Sequence, residues 1–226
     1  MSKKRNNLLL VVSGPSGSGK NTLISCILDN RDNVSHSVSA TTRAPRGDEK
    51  NGVAYYFMTF DEFERTVEEG GFYEHDVYRE NRYGTLKADV IKRVAAGDNV
   101  VLDLTVPGAV NLKKEFGERA KTVFIIPPSM KILKERLIAR GTDPMDVIER
   151  RMRFALESEI DRYREFDYVI YNDVLEDAKK AILLIYDSLT TGDKNVKKAA
   201  EKLKTVNSAE FAEKIVDRFK KEADMI

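Results

Sequence analysis

The chain has 226 residues, of which 42% are hydrophobic and 8% aromatic, enough for a sizeable core in one domain with a small insert and a tail. Its 38 basic and 37 acidic residues leave a net charge of +1, which argues against a nucleic-acid coat protein and against an acidic disordered chain. One cysteine excludes a disulfide framework, and one cysteine with two histidines argues against a zinc site. No apolar run reaches the length of a transmembrane helix, so we expect a cytoplasmic protein that binds neither membrane nor nucleic acid.

In chain order, short apolar runs alternate with helical patterns. The runs are typical of strands buried on both faces of a parallel sheet, and they lie at residues 8–12, 100–104, 122–126 and 168–171. The helical patterns lie at 20–28, 61–69 and 86–96, and a further one follows Ser129. For the helix ends, the sequence predicts Asp61 with Glu64 as a capping box, Gly97 as a C-cap and Ser129 as an N-cap. The alternation predicts an α/β fold with a mainly parallel sheet flanked by helices.

Two segments depart from this alternation. Residues 37–84 are rich in turn-forming and aromatic residues, which predicts short antiparallel strands in an inserted subdomain. Beyond Gly192, apolar residues recur at helical spacing, and Asn207 with Glu210 resembles an N-terminal cap. We therefore expect two amphipathic helices that pack against the domain or against another subunit. Monomer and homo-oligomer both stay open.

The most informative stretch is residues 14–22, which read GPSGSGKNT between a buried strand and a helix. That context is the one a phosphate-binding loop requires. Glycines let successive backbone N–H groups converge on the phosphates, and the helix N-terminus favours negative charge. We expect the following residues to bind ATP: Gly14, Pro15, Ser16, Gly17, Ser18, Gly19, Lys20, Asn21 and Thr22. Lys20, expected to be exposed, would supply a catalytic positive charge.

One position departs from the strict loop pattern, which has serine or threonine directly after the lysine. Here Asn21 stands there, and Thr22 follows. The amide oxygen or the hydroxyl is a suitable hard donor for Mg²⁺, directly or through water. We therefore expect Mg²⁺ to accompany ATP at this loop.

Several further motifs follow in order, and together with the loop they resemble the guanylate kinase family, whose members phosphorylate GMP with ATP. The resemblance covers roughly residues 8 to 190, and the tail lies outside it. Its motifs are SVSATTRAPR at 37–46, Glu49 through Gly52 to YYF at 55–57, FYE at 72–74, YGT at 83–85, PPS at 127–129, RLIARG at 136–141 and ND at 172–173.

The resemblance implies a three-part P-loop kinase. The core is residues 6–36 and 86–190 with a helical lid at about 136–164, the GMP-binding insert is 37–85, and the helical extension is 191–226. GMP would be bound by Ser39, Arg43, Arg46, Tyr55, Glu74, Tyr83, Thr85 and Asp103. Of these, Glu74 and Thr85 would read guanine, because a carboxylate accepts from its adjacent N1–H and N2–H₂ donors and a hydroxyl donates to O6.

The resemblance also assigns the catalytic charges. Arg136, Arg140 and Arg151 match the lid arginines, and Arg43 acts with them and with Lys20 as a catalytic cation. Arg140 and Asn172 match ATP-binding positions, Asn172 lying near the adenine. Asp103 is implied beside Mg²⁺ together with Asn21 and Thr22. Such a site works by positioning and by neutralising charge on the transferred phosphoryl group.

Three positions depart from the family pattern: Asp48 replaces a glycine, Ala54 an aspartate, and Thr105 the second of two aspartates. The expected function is transfer of the γ-phosphoryl group of ATP to GMP and dGMP. One alternative is a related kinase for another phosphorylated acceptor such as ribose 1,5-bisphosphate, which would not need Glu74 and Thr85. Another is a non-catalytic protein-binding module, in which the phosphate loop is typically degraded. The intact loop favours an enzyme.

Overall fold

The computed structural model describes residues 7–78, 80–141 and 143–223. The strands are β1 (Leu9–Ser13), β2 (Val34–His36), β3 (Ser39–Thr41), β4 (Tyr56–Phe57), β5 (Phe72–Tyr78), β6 (Asn81–Leu86), β7 (Asn99–Asp103), β8 (Ala120–Ile126) and β9 (Tyr168–Tyr171). The α-helices are α1 (Lys20–Asn30), α2 (Phe60–Glu68), α3 (Lys87–Ala96), α4 (Val106–Phe116), α5 (Met130–Ala139), α6 (Met145–Phe154), α7 (Leu175–Thr190), α8 (Lys194–Ala200) and α9 (Thr205–Ala223).

The larger sheet is parallel throughout, in the order β2-β7-β1-β8-β9. Its central strand β1 is buried along its whole length, because helices cover both faces. Val12 faces one apolar cluster with Leu23 of α1, and Val11 faces another with Leu112 of α4. The predicted α/β class with a parallel sheet is confirmed. The carboxyl ends of β1 and β7 lead into the phosphate loop and α4, which sets the position of the site.

The smaller sheet has the order β4-β3-β6-β5 and lies within the segment that departs from the alternation. β3 and β5 pair antiparallel with β6, as expected, but β4 pairs parallel with β3. The parallel pair arises because β3 and β4 are joined by a long connection rather than a tight hairpin. Helix α2 covers this sheet through Phe63, whose ring stacks on Phe72 with 4.5 Å between centroids.

Helix caps show where the sequence prediction holds and where it fails. Gly97 ends α3 in a left-handed conformation, and the hydroxyl of Ser129 accepts from Ile132 N at 3.1 Å, as predicted. The capping box predicted at Asp61 and Glu64 is wrong. The box lies two residues earlier, where the Thr59 hydroxyl accepts from Glu62 N and the Glu62 carboxylate accepts from Thr59 N at 2.7 Å.

The C-terminal extension packs on the same domain. Ala212, Ile215, Val216 and Phe219 of α9 belong to the larger apolar cluster, and Phe219 is completely buried. Arg218 donates to the carbonyl of Pro128 and to the hydroxyl of Tyr171. The predicted cap at Asn207 is wrong, because α9 already begins at Thr205. None of the described helices combines the length and the apolar character needed to cross a membrane.

Candidate active site

The phosphate loop follows β1 and opens α1. Gly14, Gly17 and Gly19 have φ values of 133°, 95° and 101°, a region that L side chains rarely adopt. A Cβ on Gly19 would also lie 2.3 Å from Nδ2 of Asn172. The backbone conformation therefore favours glycine at all three positions. At Gly19 the side chain of Asn172 also leaves no room for a Cβ.

Lys20 is held by the loop that it follows. Its ammonium donates to the carbonyls of Gly14 at 2.8 Å and Pro15 at 3.3 Å, and lies 3.9 Å from Oδ1 of Asp103. Its side chain is only 15% exposed, so the expectation of an exposed lysine is wrong. The ammonium is fixed by oxygen atoms of the loop and points into the cleft where β1 and β7 end.

Asn172 and Arg136 lie behind the loop. Asn172 is buried, and its amide donates to the carbonyl of Ser18 at 2.7 Å. Arg136 of α5 donates through Nη2 to the carbonyl of Asn172 at 3.1 Å, while its buried Nη1 has no partner among the described residues. Burial lowers the pKa of this guanidinium, and Asp173 opposes the shift. Asn172 therefore holds the loop through the Ser18 carbonyl, and Arg136 holds Asn172. Nη1 of Arg136 is left as a charged donor without a partner among the described residues.

The segment predicted to form the lid contacts the loop through Arg151 of α6. Its Nη1 donates to the hydroxyl of Ser16, and its Nε lies 3.6 Å from Oδ2 of Asp143. Arg140 directly follows Ala139, the last residue of α5, and it is exposed. Arg150 forms an exposed ion pair with Asp146 and also lines the cleft.

The smaller sheet supplies a second cationic group. Arg43 contacts both oxygens of Glu49, at 3.0 and 2.9 Å, and its guanidinium lies 5.3 Å from the ring centroid of Tyr55. Tyr83 contacts Tyr55 edge to face and hydrogen-bonds with Arg43. The structure therefore brings Arg43, Tyr55 and Tyr83 together. Arg46 is exposed, and Ser39 is half-buried on β3 opposite Thr85.

Glu74 lies opposite Thr85 on neighbouring strands, and the Thr85 hydroxyl is 3.5 Å from its Oε1. Its other oxygen, Oε2, accepts from the backbone N–H of Thr105 at 2.6 Å and from the Thr105 hydroxyl. Burial raises the pKa of Glu74 to about 7, an effect that the two bonds from Thr105 oppose. Thr105, which stands where the family pattern has an aspartate, is thus a direct hydrogen-bond partner of Glu74.

Groups from the loop, the lid segment and the smaller sheet line one cleft of about 950 Å³, a size suited to a small-molecule ligand. The lining does not include Arg43, Tyr55, Thr85, Arg136 or Asn172. The lid, the loop, the end of β7 and the smaller sheet all contribute to its walls. Its lining residues include Gly14, Ser16, Lys20, Glu74, Asp76, Tyr83, Asp103, Thr105, Arg150, Arg151, Phe154 and Glu159.

Asp76, Phe154 and Glu159 also line the cleft, although no sequence motif indicates them. Glu159 ends a π-helical turn, Ala155–Glu159, and burial raises its pKa while Lys20 and Arg151 lower it. A π turn is frequent at functional sites, but no residue pattern in this segment indicates one.

The carboxylates that line the cleft are not gathered into one metal-binding group among the described residues. Within residues 7–78, 80–141 and 143–223, no group of three or more His, Cys, Asp or Glu side chains could hold an ion. Asp103 lines the cleft, whereas Asn21 and Thr22 are exposed on the first turn of α1 and do not line it. One carboxylate beside a phosphate loop fits Mg²⁺, which keeps several waters and is bound mainly through substrate phosphates.

Comparisons with known proteins agree with one another. A family model described as guanylate kinase matches residues 6–188. Guanylate kinase of Bacteroides fragilis is 48% identical over 178 residues, covering 78% of this chain and 87% of the relative. Guanylate kinase of Porphyromonas gingivalis is 45% identical over 180 residues, covering 77% of this chain and 95% of the relative. The crystal structure of guanylate kinase from Anaplasma phagocytophilum matches with a TM-score of 0.59 and 30% identity, covering 81% of this chain and 86% of that one.

Proposed function

This chain belongs to the guanylate kinase family, and from that premise we propose how its own residues carry out the reaction. The protein is an ATP:GMP phosphotransferase, which transfers the γ-phosphoryl group of ATP to GMP and yields ADP and GDP. The observation that carries the residue assignment is the shared cleft, in which Lys20 of the loop and Glu74 of the smaller sheet face the same space.

On the donor side, the loop from Gly14 to Thr22 would bind the ATP phosphates through its backbone N–H groups. The Lys20 ammonium, already held by two carbonyls, would neutralise charge on the transferred group. Arg151 would join it from the lid, because its guanidinium already contacts Ser16 of the loop. The unpartnered Nη1 of Arg136 offers a further donor, and exposed Arg140 would approach when the lid closes.

Asp103 would hold Mg²⁺ from the cleft, with Asn21 and Thr22 more remote on α1. When bound, the ion would offset negative charge on the nucleotide phosphates. Asn172 would hold the ATP-binding loop in place, because its amide donates a hydrogen bond to the Ser18 carbonyl.

On the acceptor side, Arg43, Tyr55 and Tyr83 would bind the phosphate of GMP, with Ser39 and Arg46 at the edge of that group. This phosphate attacks the γ-phosphorus in line, and the bond from the γ-phosphorus to the oxygen bridging to the β-phosphorus breaks as ADP leaves. Glu74 would accept from guanine N1–H and N2–H₂, and Thr85 would donate to O6.

The same reasoning assigns regions. We propose residues 37–85 as the GMP-binding part and about 136–164 as the lid, on either side of the loop. We also propose a cytoplasmic site of action, on the ground that both substrates are nucleotides.

An acceptor panel tests this assignment. With ATP and Mg²⁺, kcat/KM for GMP should exceed that for AMP by about a hundredfold or more, because adenine leaves the half-buried carboxylate of Glu74 unpaired. We expect dGMP to be accepted as well. Glu74→Gln should lower the ratio of kcat/KM for GMP to kcat/KM for AMP. Glu68→Gln is the matched control, because Glu68 is exposed on α2, and it should leave this ratio unchanged. Comparable values for AMP and GMP in the wild-type enzyme would contradict the roles of Glu74 and Thr85.

A further inference from the structure

We propose that Thr105 is a positioning residue that holds Glu74 in the orientation needed to read the acceptor base, and that residue 108 is glycine so that this contact can form. The inference rests on the proposed function of Glu74. It starts from two hydrogen bonds: the backbone N–H and the hydroxyl of Thr105 both donate to Oε2 of Glu74, which lies 31 positions earlier in the chain.

The hydrogen-bond pattern fixes which way each group points. The Thr105 hydroxyl accepts from Gly108 N at 3.3 Å, as the N-cap of α4. Its own hydrogen is therefore available to Glu74, and the backbone N–H of Thr105 can only donate. Both donors meet Oε2, which leaves Oε1 on the side of Thr85. Anchoring one oxygen in this way fixes the plane of the carboxylate, and that plane must match two adjacent donors on the base.

The surroundings explain why such an anchor matters. The Glu74 side chain is half-buried at the cleft, where burial and Asp103 disfavour its charged form and Lys20 favours it. Asp76, Tyr83, Arg150, Arg151 and Glu159 face the same cleft. The first turn of α4 places the positive end of a helix dipole at the Glu74 carboxylate. A half-buried carboxylate without these donors would have no fixed partner on the β7 side of the cleft.

Gly108 provides the second, independent observation. A Cβ at this position would lie 2.6 Å from Oε2 of Glu74 and 2.9 Å from its Cβ. Glycine inside a helix costs about 1 kcal/mol relative to alanine, and Gly108 lies within α4. Alanine would therefore favour the helix and at the same time displace Glu74. Stability and base recognition should move in opposite directions at this one position.

The experiment compares KM and kcat for GMP and for ATP in purified variants. Thr105→Val removes the hydroxyl and should raise KM for GMP about tenfold, with KM for ATP and kcat changed by less than about twofold. Thr105→Ser keeps the hydroxyl and should restore the wild-type KM. Gly108→Ala should also raise KM for GMP about tenfold or more, although α4 gains helix propensity. Thr59→Val is the matched control, since it removes the same hydroxyl from the N-cap of α2, outside the cleft lining.

The outcomes separate this inference from the proposed function. A wild-type enzyme that does not phosphorylate GMP would remove the proposed function itself. A normal wild-type enzyme with Thr105→Val whose KM for GMP is unchanged, or lower, would overturn the positioning role alone. An equal rise of KM in Thr59→Val would also overturn it, because the effect would then follow from loss of any cap. If Gly108→Ala does not fold, the pair of Thr105 variants still decides.

Discussion

At the scale of single residues, the site depends on side chains whose surroundings fix their orientation or shift their pKa. Lys20 is tied to two loop carbonyls and Arg43 to the carboxylate of Glu49, so both cations are oriented before any phosphate arrives. Orientation of this kind lowers the entropy that the reaction must otherwise lose. Glu74 is the clearest case, because its burial and its bonds to Thr105 act on its pKa in opposite directions.

The raised pKa of Glu74 predicts a pH-dependent stability. Its value of about 7 in the folded protein lies above the ordinary 4.5, so the folded state retains a proton that the unfolded chain has released. The contribution of Glu74 to the free energy of unfolding should therefore fall as pH rises from about 4.5 to about 7, and then level off. Calorimetry should measure Tm for the wild type and for Glu74→Gln. Between about pH 5 and about pH 8, the Tm of the wild type should fall by a few degrees relative to that of Glu74→Gln. A difference in Tm that stays constant over this range would contradict the shift.

At the scale of elements, the helix beyond the family match is part of the core. The family model ends at residue 188, yet Phe219 of α9 is fully buried in the larger apolar cluster, and the carboxylate of Glu222 accepts from Met130 N at the start of α5. Arg164 and Glu213 form an ion pair, and so do Asp161 and Lys220, linking α9 to the segment that follows the lid helix α6. This extension therefore supports the base of the lid as well as the sheet.

Phe219→Ala tests that role. Removing a fully buried ring should lower the free energy of unfolding by about 3–5 kcal/mol and Tm by about 10 °C. Val206→Ala is the control, since Val206 lies on the same helix and is 83% exposed. Thermal melts of the two variants measure the difference. Equal melting temperatures would mean that α9 does not share the core in solution.

At the scale of the whole molecule, we expect the smaller sheet and the proposed lid to move relative to the phosphate loop. The smaller sheet carries Glu74 and Tyr83, the lid carries Arg151, and both line the cleft around Lys20. The donor and the acceptor each bring phosphates, and water must be excluded while the phosphoryl group moves. The two parts should therefore approach each other when both nucleotide sites are filled.

Small-angle scattering tests this closure. The radius of gyration should decrease on addition of a bisubstrate analogue that joins adenosine to guanosine through a phosphate chain, and less on addition of GMP alone. Calorimetry on the same samples should establish that the analogue is bound. An unchanged radius of gyration in the saturated protein would speak for a rigid cleft and against closure.

Local spacing was sufficient to predict much of this protein. The strand, glycines and lysine of residues 9–20 form one continuous stretch, so their pattern alone indicates the loop. Gly97 and Ser129 likewise act on neighbours within a few positions, and both caps are confirmed. The buried strands could be predicted for the same reason, because a run of apolar residues is a property of the segment itself.

Other features depended on contacts between distant segments. Glu74 meets Thr105, Lys20 lies beside Asp103, and Asn172 reaches back to Ser18, each pair brought together only when strands of the sheets are aligned. The threonine at 105 therefore looked like the loss of an acid, although the structure makes it a donor. A sequence pattern records which groups are present, whereas burial, pairing and the resulting pKa values arise from the packing that joins them.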